Sequence, residues 1–192
     1  LGLSLFPEPV QNTFWGKGLS QGHSDAVRQV AGVKRGVQYT IPAQDAIDQA
    51  RAGNGQGLSK TTSHERIVYV VADEADHDRI REEITTMPDY FEPYDTTVHF
   101  VSEEEFERDH QGAPHGGYVI TTGDLQGHNA SVEFSLALDS NPNFTAAAMV
   151  AFGRAAARLK EQGNSGAYTV LEVPLYLLSQ QPLQEIMETG LV

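Results

Sequence analysis

The chain has 192 residues, of which 40% are hydrophobic and 20% charged, and this suits one globular domain with a core of its own. A formal net charge of -13, from 26 acidic against 13 basic residues, argues against nucleic acid or an anionic membrane as partner, since neither contact would gain from phosphate neutralisation. There is no cysteine for a disulfide, thiolate site or cysteine nucleophile, and no apolar run approaches the about 18 residues of a membrane span; with no signal peptide evident, a cytoplasmic setting is expected.

The opening Leu1-Gly2-Leu3-Ser4-Leu5-Phe6 has no initiator Met and reads as the tail of an apolar helix, so a piece of a longer protein is expected. Residues 13–27 form the most unusual stretch, with the single tryptophan, Trp15, followed by Gly16, Gly18 and Gly22. Those glycines suit a tight turn, and Ser24 is the expected N-cap of a short helix carrying Ala26, Val27 and Val30. Such a turn presents free backbone N–H groups that suit a carboxylate or phosphate, and an indole beside it adds a flat wall. Taken alone, the same residues are explained as well by a buried loop with a structural tryptophan.

Residues 33–41 read as a strand stopped by Pro42, and 43–52 as an amphipathic helix closing on Gly53. A polar loop over 54–63 leads to 64–72, a β-branched run with the pattern of a central strand. Helix is expected over 76–87 and strand over 96–101; Ser102 with Glu105 then makes a capping box. Residues 117–122 and 131–138 alternate as a strand pair. Asn141-Pro142 opens the longest helix, rich in small residues, which runs towards Gly163. A strand is expected over 169–173 and a short helix over 182–187. Strands alternating with helices indicate an α/β or α+β fold, a mixed β-sheet with helices packed mainly on one face.

No G-x-G-x-x-G follows a strand, no P-loop lysine is present and no G-x-S-x-G elbow occurs, so dinucleotide, phosphate-loop and serine-hydrolase signatures are missing. His23 with Asp25 and Asp76-His77-Asp78 have the composition of metal ligands but not the spacing, and no metal is expected. Arg66 is odd in an apolar strand, where an arginine snorkels, pairs, or meets a ligand carboxylate. His115 sits between Pro114 and two glycines at the start of a strand, placed to reach a ligand or merely solvent.

Together these stretches resemble the meso-diaminopimelate dehydrogenase family. The matching blocks include residues 13–26, Tyr39-Thr40, 87–91, 114–124, 141–145, 151–156 and 165–173. The resemblance covers the C-terminal part of that family only, a two-domain dehydrogenase whose Rossmann domain has no counterpart here. It implies that residues 1–12 are a residual helix and linker, 13–163 the substrate-binding and dimerisation domain, and 164–192 a segment packing back on the Rossmann domain. The implied reaction is NADP-dependent deamination of the D-centre of meso-2,6-diaminopimelate in lysine biosynthesis. NADP and the catalytic residues are then outside this chain, which is expected to be inactive alone and to belong to a homodimer. By the same resemblance Arg66, Thr40 and His115 grip the distal L-amino-acid end, Gln21 and Gly22 approach the reacting end through backbone groups, Trp15 is the aromatic wall and Asn141 completes the pocket. The alternative is a stand-alone amino-acid-binding or dimerisation module without catalysis.

Overall fold

The computed structural model describes residues 2–189, in two compact units, Leu1–Ser140 and Asn141–Val192. The first unit runs α1 (Gly2–Leu5), β1 (Val10–Trp15), β2 (Gly18–Leu19), α2 (Gln21–Gln29), β3 (Arg35–Pro42), α3 (Gln44–Arg51) and β4 (His64–Val71). A 3-10 turn (Glu74–Asp76), α4 (His77–Thr85), β5 (Asp95–Phe100), α5 (Glu103–Asp109), β6 (His115–Leu125) and β7 (His128–Leu138) follow. The strands make two sheets: β1-β6-β7, all antiparallel, and β2-β3-β4-β5, in which only the β4–β5 pair is parallel. The fold class is the α+β arrangement read from the sequence, with its strands shared between two sheets.

β4 organises the larger sheet. Its alternation sends Val68 and Val70 into a core with Val27 and Val30 of α2, Ile80 and Ile84 of α4, Phe91 and Val98. On the opposite face Val37, Tyr39 and Val71 pack against Phe106 of α5. The capping box of α5 is present in full, Ser102 and Glu105 each bonding the other's backbone. The smaller sheet packs Phe14 and Ile120 against Ala46, Ile47 and Ala50 of α3.

Several local expectations change. Helix α2 starts earlier than expected, with Ser20 at its N-cap. Ser24 lies inside the helix, where its Oγ donates to the Ser20 carbonyl at 2.6 Å and accepts the Gln38 N–H at 2.9 Å. A strand N–H that would otherwise lack a partner is what draws this serine inward. β1 and β2 were not foreseen, because their pairing is with β6 and β3, far along the chain. β6 and β7 extend through the region read as their connection and turn at Gln126-Gly127, both with positive φ (58° and 86°).

The second unit holds α6 (Asn141–Glu161), α7 (Leu175–Leu178) and α8 (Leu183–Glu188). Arg158 Nη1 donates to the carbonyls of Leu177 at 2.9 Å and Ser179 at 2.8 Å, satisfying the end of α7 from α6. Residues 169–173 are a turn and not the expected strand. The Glu172 carboxylate accepts both the N–H and the hydroxyl of Thr169, at 2.8 and 2.7 Å, and among the described residues no neighbouring strand offers a ladder to compete with that local closure.

Candidate functional site

β3 and β4 pair with Thr40 opposite Arg66 and Gln38 opposite Val68. Directly paired residues share a face, so Gln38, Thr40, His64 and Arg66 occupy one end of the face whose other end is the Val68–Val70 core. All four are buried, Gln38 completely. Arg66 Nη1 donates to Thr40 Oγ1, and Gln38 Nε2 donates to the same oxygen at 3.3 Å. The guanidinium carbon lies 4.1 Å from the centre of the Tyr94 ring, a cation–π contact. Burial lowers the Arg66 pKa, and Tyr94 partly opposes that shift. Two atoms of the cluster, Arg66 Nε and Gln38 Oε1, are buried without a hydrogen-bond partner among the described residues. A native fold seldom leaves a guanidinium N–H in that condition unless something else is meant to accept it.

His115 belongs to the same cluster. Gly18 pairs with Thr40, and a Cβ at Gly18 would stand 3.1 Å from the His115 ring. The imidazole therefore lies over Gly18, on the face to which Thr40 and Arg66 project. That contact, and not backbone freedom, is what requires glycine at 18. Gly16 is required differently: its φ is +114° and a Cβ there would fall 2.1 Å from the Thr40 carbonyl oxygen. The glycine turn is laced to the start of β6 and the residue before it by Gly16 N–H to the Gly116 carbonyl (2.8 Å) and Leu19 N–H to that of Pro114 (2.9 Å). Trp15 stands edge-on to His115, ring centres 6.4 Å apart, and is 53% exposed, so its indole borders the cluster as a wall.

Two histidines that the sequence reading did not place at the site also bear on it. Trp15 N–H donates to His64 Nε2 at 2.8 Å, so the ring proton is on Nδ1, which donates to the Lys60 carbonyl at 2.8 Å. Burial lowers the His64 pKa; the Lys60 bond opposes and the Arg66 charge adds to the shift. His23, on α2, meets the Ser20 hydroxyl at 2.7 Å and stands edge-on to Tyr90 and Phe91. Burial first, and then the charge of Arg66, lower its pKa, so it is neutral at pH 7. Period-two alternation around Arg66 is the signal that could have nominated His64; nothing in the sequence nominates Tyr94.

Gln21 and Gly22 form the first turn of α2, both exposed, and the Ser20 side chain does not cap that turn. Its leading N–H groups have no intrahelical carbonyl to bond. Gly22 lies in the helix and not in the tight turn expected of it, and a Cβ there would meet nothing within 4 Å. Asn141 begins α6 in the second unit. No set of three or more His, Asp or Glu side chains able to hold a metal occurs among the described residues, and no described helix is long and apolar enough to cross a membrane.

Fold and cluster define a class first: an α+β domain that aims several hydrogen-bond donors and one cation from a single sheet face. The family follows from comparison with known proteins. A family model, the diaminopimelic acid dehydrogenase C-terminal domain, matches residues 1–140, and the chain belongs to that family. It is 54% identical over 184 residues to the meso-diaminopimelate D-dehydrogenase of Corynebacterium glutamicum, covering 96% of this chain and 58% of that protein. An engineered D-amino acid dehydrogenase bound to NADP+ matches with a TM-score of 0.81 at 50% identity, over 97% of this chain and 59% of that one. A meso-diaminopimelate dehydrogenase variant from Clostridium tetani E88, solved with DAP, matches with a TM-score of 0.89 at 44% identity, over 100% of this chain and 59% of that one. The chain thus spans about 58% of the length of the curated relative named.

Proposed function

We propose that this chain is the substrate-binding part of a meso-diaminopimelate D-dehydrogenase, and that the complete protein carries out the NADP-dependent, reversible oxidative deamination of the D-centre of meso-2,6-diaminopimelate. The products are L-2-amino-6-oxopimelate, which cyclises to tetrahydrodipicolinate, and ammonia, within lysine biosynthesis in the cytoplasm. The observation that carries this reading is the buried Arg66, paired to Thr40, backed by Tyr94 and left with an unmatched Nε–H on the face that His115 shares. A planar fork of donors suits a carboxylate.

In this reading Arg66, Thr40 and His115 hold the distal amino-acid end, Gln21 and Gly22 offer backbone groups to the reacting end, and Trp15 is the aromatic wall. The Clostridium tetani variant adds support: the residue types it replaces are, in chain order, Gln, Thr, Arg, Pro, His and Asn. Gln21, Thr40, Arg66, Pro114, His115 and Asn141 carry those types in that order, with the same spacing between the first three.

The residues of this chain do not fit NADP. The turn glycines Gly16 and Gly18 are filled against Thr40 and His115, and Gly22 lies inside α2, so no glycine-rich strand-to-helix turn of the dinucleotide-binding kind is formed. The cofactor and the hydride transfer it supports therefore belong to parts of the protein outside this chain, which alone is catalytically silent; NADPH formation by the isolated chain would contradict that. We also place the protein in a homodimer, for which the exposure of Phe134 on β7 and of Met149 and Val150 on α6 is the support.

The test is Arg66→Met in the complete enzyme. Leaving a substrate carboxylate without its charged partner costs roughly 3–4 kcal/mol, so kcat/KM for meso-2,6-diaminopimelate should fall about 10²–10³-fold. A D-amino acid with no second amino-acid centre should change by no more than a few-fold. Equal losses on both substrates would take Arg66 out of the distal grip.

A further inference from the structure

We propose that Gln38 is a positioning residue that fixes the polarity of the Thr40 hydroxyl, so that Thr40 can only donate to a ligand and the cleft accepts a carboxylate, not an ammonium, at that point. This rests on the substrate reading above and adds to it the residue that sets which way the Thr40 hydroxyl points.

A hydroxyl has one proton and two lone pairs. At Thr40 Oγ1 both lone pairs are engaged, one by Arg66 Nη1–H and the other by Gln38 Nε2–H. Arg66 has no acceptor atom, so its end of the contact cannot be reversed. Gln38 could reverse its end only by turning its amide, yet it presents the NH2 group to Thr40 and leaves Oε1 buried without a partner. With both lone pairs occupied, the remaining O–H has one use, donation outwards. An ammonium placed there would face the Arg66 charge and an oxygen with no lone pair to offer. A carboxylate would accept from the Thr40 hydroxyl and lie beside the charge of Arg66, whose Nη1 already holds that hydroxyl from the other side.

Gln38 cannot touch a ligand itself, because it is 0% exposed beneath Thr40. Its backbone is held from both sides, N–H to Ser24 Oγ at 2.9 Å and carbonyl from Ser20 N–H at 3.1 Å. The side chain thus rises from a fixed base, and any influence on recognition passes through Thr40. If the amide were turned the other way, Oε1 would take the Thr40 proton and point the hydroxyl inward. Removing Gln38 would then free the hydroxyl and improve binding, so the sign of the effect separates the two orientations.

The experiment measures KM and kcat of the complete enzyme for meso-2,6-diaminopimelate and for a D-amino acid with no second centre, in Gln38→Met, Thr40→Val and the double variant. Gln38→Met should raise KM for meso-2,6-diaminopimelate about tenfold, with kcat within about twofold, as expected for a mis-set hydrogen bond to a charged group. The simple D-amino acid should be unaffected, and Gln38→Met should add nothing further once Thr40 is valine. A KM that is unchanged or lowered, or a full additional rise in the Thr40→Val background, overturns the proposal. Should Gln38→Met not fold, Gln38→Asn, whose shorter amide cannot reach Thr40, is read by the same criteria. Arg66→Met run alongside keeps the two readings apart: if it separates the two substrates and the Gln38 variants do not, only the hydroxyl argument falls.

Discussion

At residues 68–70 β4 is closed on by Val27, Ile80, Ile84 and Phe91, all 0% exposed, whereas two residues earlier the same face carries Arg66 and then His64 among polar neighbours. Backbone, sheet and depth of burial are shared between the two ends. At the apolar end every contact is made by the fold itself. At the polar end the hydrogen bonds are incomplete, with Arg66 Nε and Gln38 Oε1 left open. One strand therefore holds the packing that stabilises the domain and, in the function proposed above, the residues that select the ligand, a few positions apart. The difference teaches that burial of a polar residue is no mark of a stabilising role; what matters is whether its partners lie inside the chain.

That contrast can be broken by substitution at either end. The largest stability effect belongs to the apolar end: Ile84→Ala should lower unfolding stability by about 2–5 kcal/mol while leaving KM for meso-2,6-diaminopimelate unchanged. Arg66→Met, which removes an incompletely paired buried charge, should leave Tm unchanged or raise it, in opposition to its large effect on activity. Denaturant titration and substrate kinetics on the two variants check both halves. A Tm lost in Arg66→Met would mean that the polar end also holds the fold together.

Glycine positions sharpen the comparison on a smaller scale. Gly18→Ala presses a Cβ to 3.1 Å from the His115 ring and should raise KM several-fold with about 1 kcal/mol of stability lost. At Gly22 a Cβ meets nothing within 4 Å, and the position is helical, so Gly22→Ala should hold Tm or raise it slightly. Differential scanning calorimetry distinguishes the pair; equal destabilisation would show that His115 is not packed over residue 18.

The smallest effect is a pH dependence. His64, His23 and His110 all have pKa values lowered from 6.5, by burial first in each case. A native pKa below the unfolded one means that the unfolded chain binds the extra proton first. The stability these groups contribute is thus complete above about pH 6.5 and is lost as pH falls below it. Tm should decline between pH 7.5 and 5.5, before the lowered carboxylates Glu105, Asp109 and Glu133 begin to titrate. His64→Gln should flatten that decline, since it removes the group whose Nε2 must stay unprotonated to accept from Trp15. A Tm that rises towards pH 5.5 would reverse the argument.

Much of the fold was legible in the sequence because it depends on neighbours close along the chain. The β-branched run at 64–72, the capping box at Ser102 and the Asn-Pro start of α6 all name themselves through local pattern. β1 and β2 were not legible, because each exists only through pairing with a distant strand. Residues 169–173 have the composition of a strand but no partner strand among the described residues, and they close as a turn on Glu172. In the candidate site Arg66 stood out as a cation in an apolar run and His115 as a histidine set between Pro114 and two glycines, whereas Thr40 entered only through family resemblance. Gln38, His64 and Tyr94 stayed silent because each acts on a residue that the sequence sets well apart from it.

What the sequence determined unaided is the strands and helices whose signals are local, such as β4, α5 and α6, and the family to which its blocks are similar. It could do so because propensity, capping and periodicity are properties of contiguous residues. Only the tertiary structure decided that Arg66 meets Thr40, that His115 lies over Gly18 and that Arg66 Nε and Gln38 Oε1 are buried without partners among the described residues. Those facts depend on strand register and on how two sheets meet, and register is set by contacts across the whole domain.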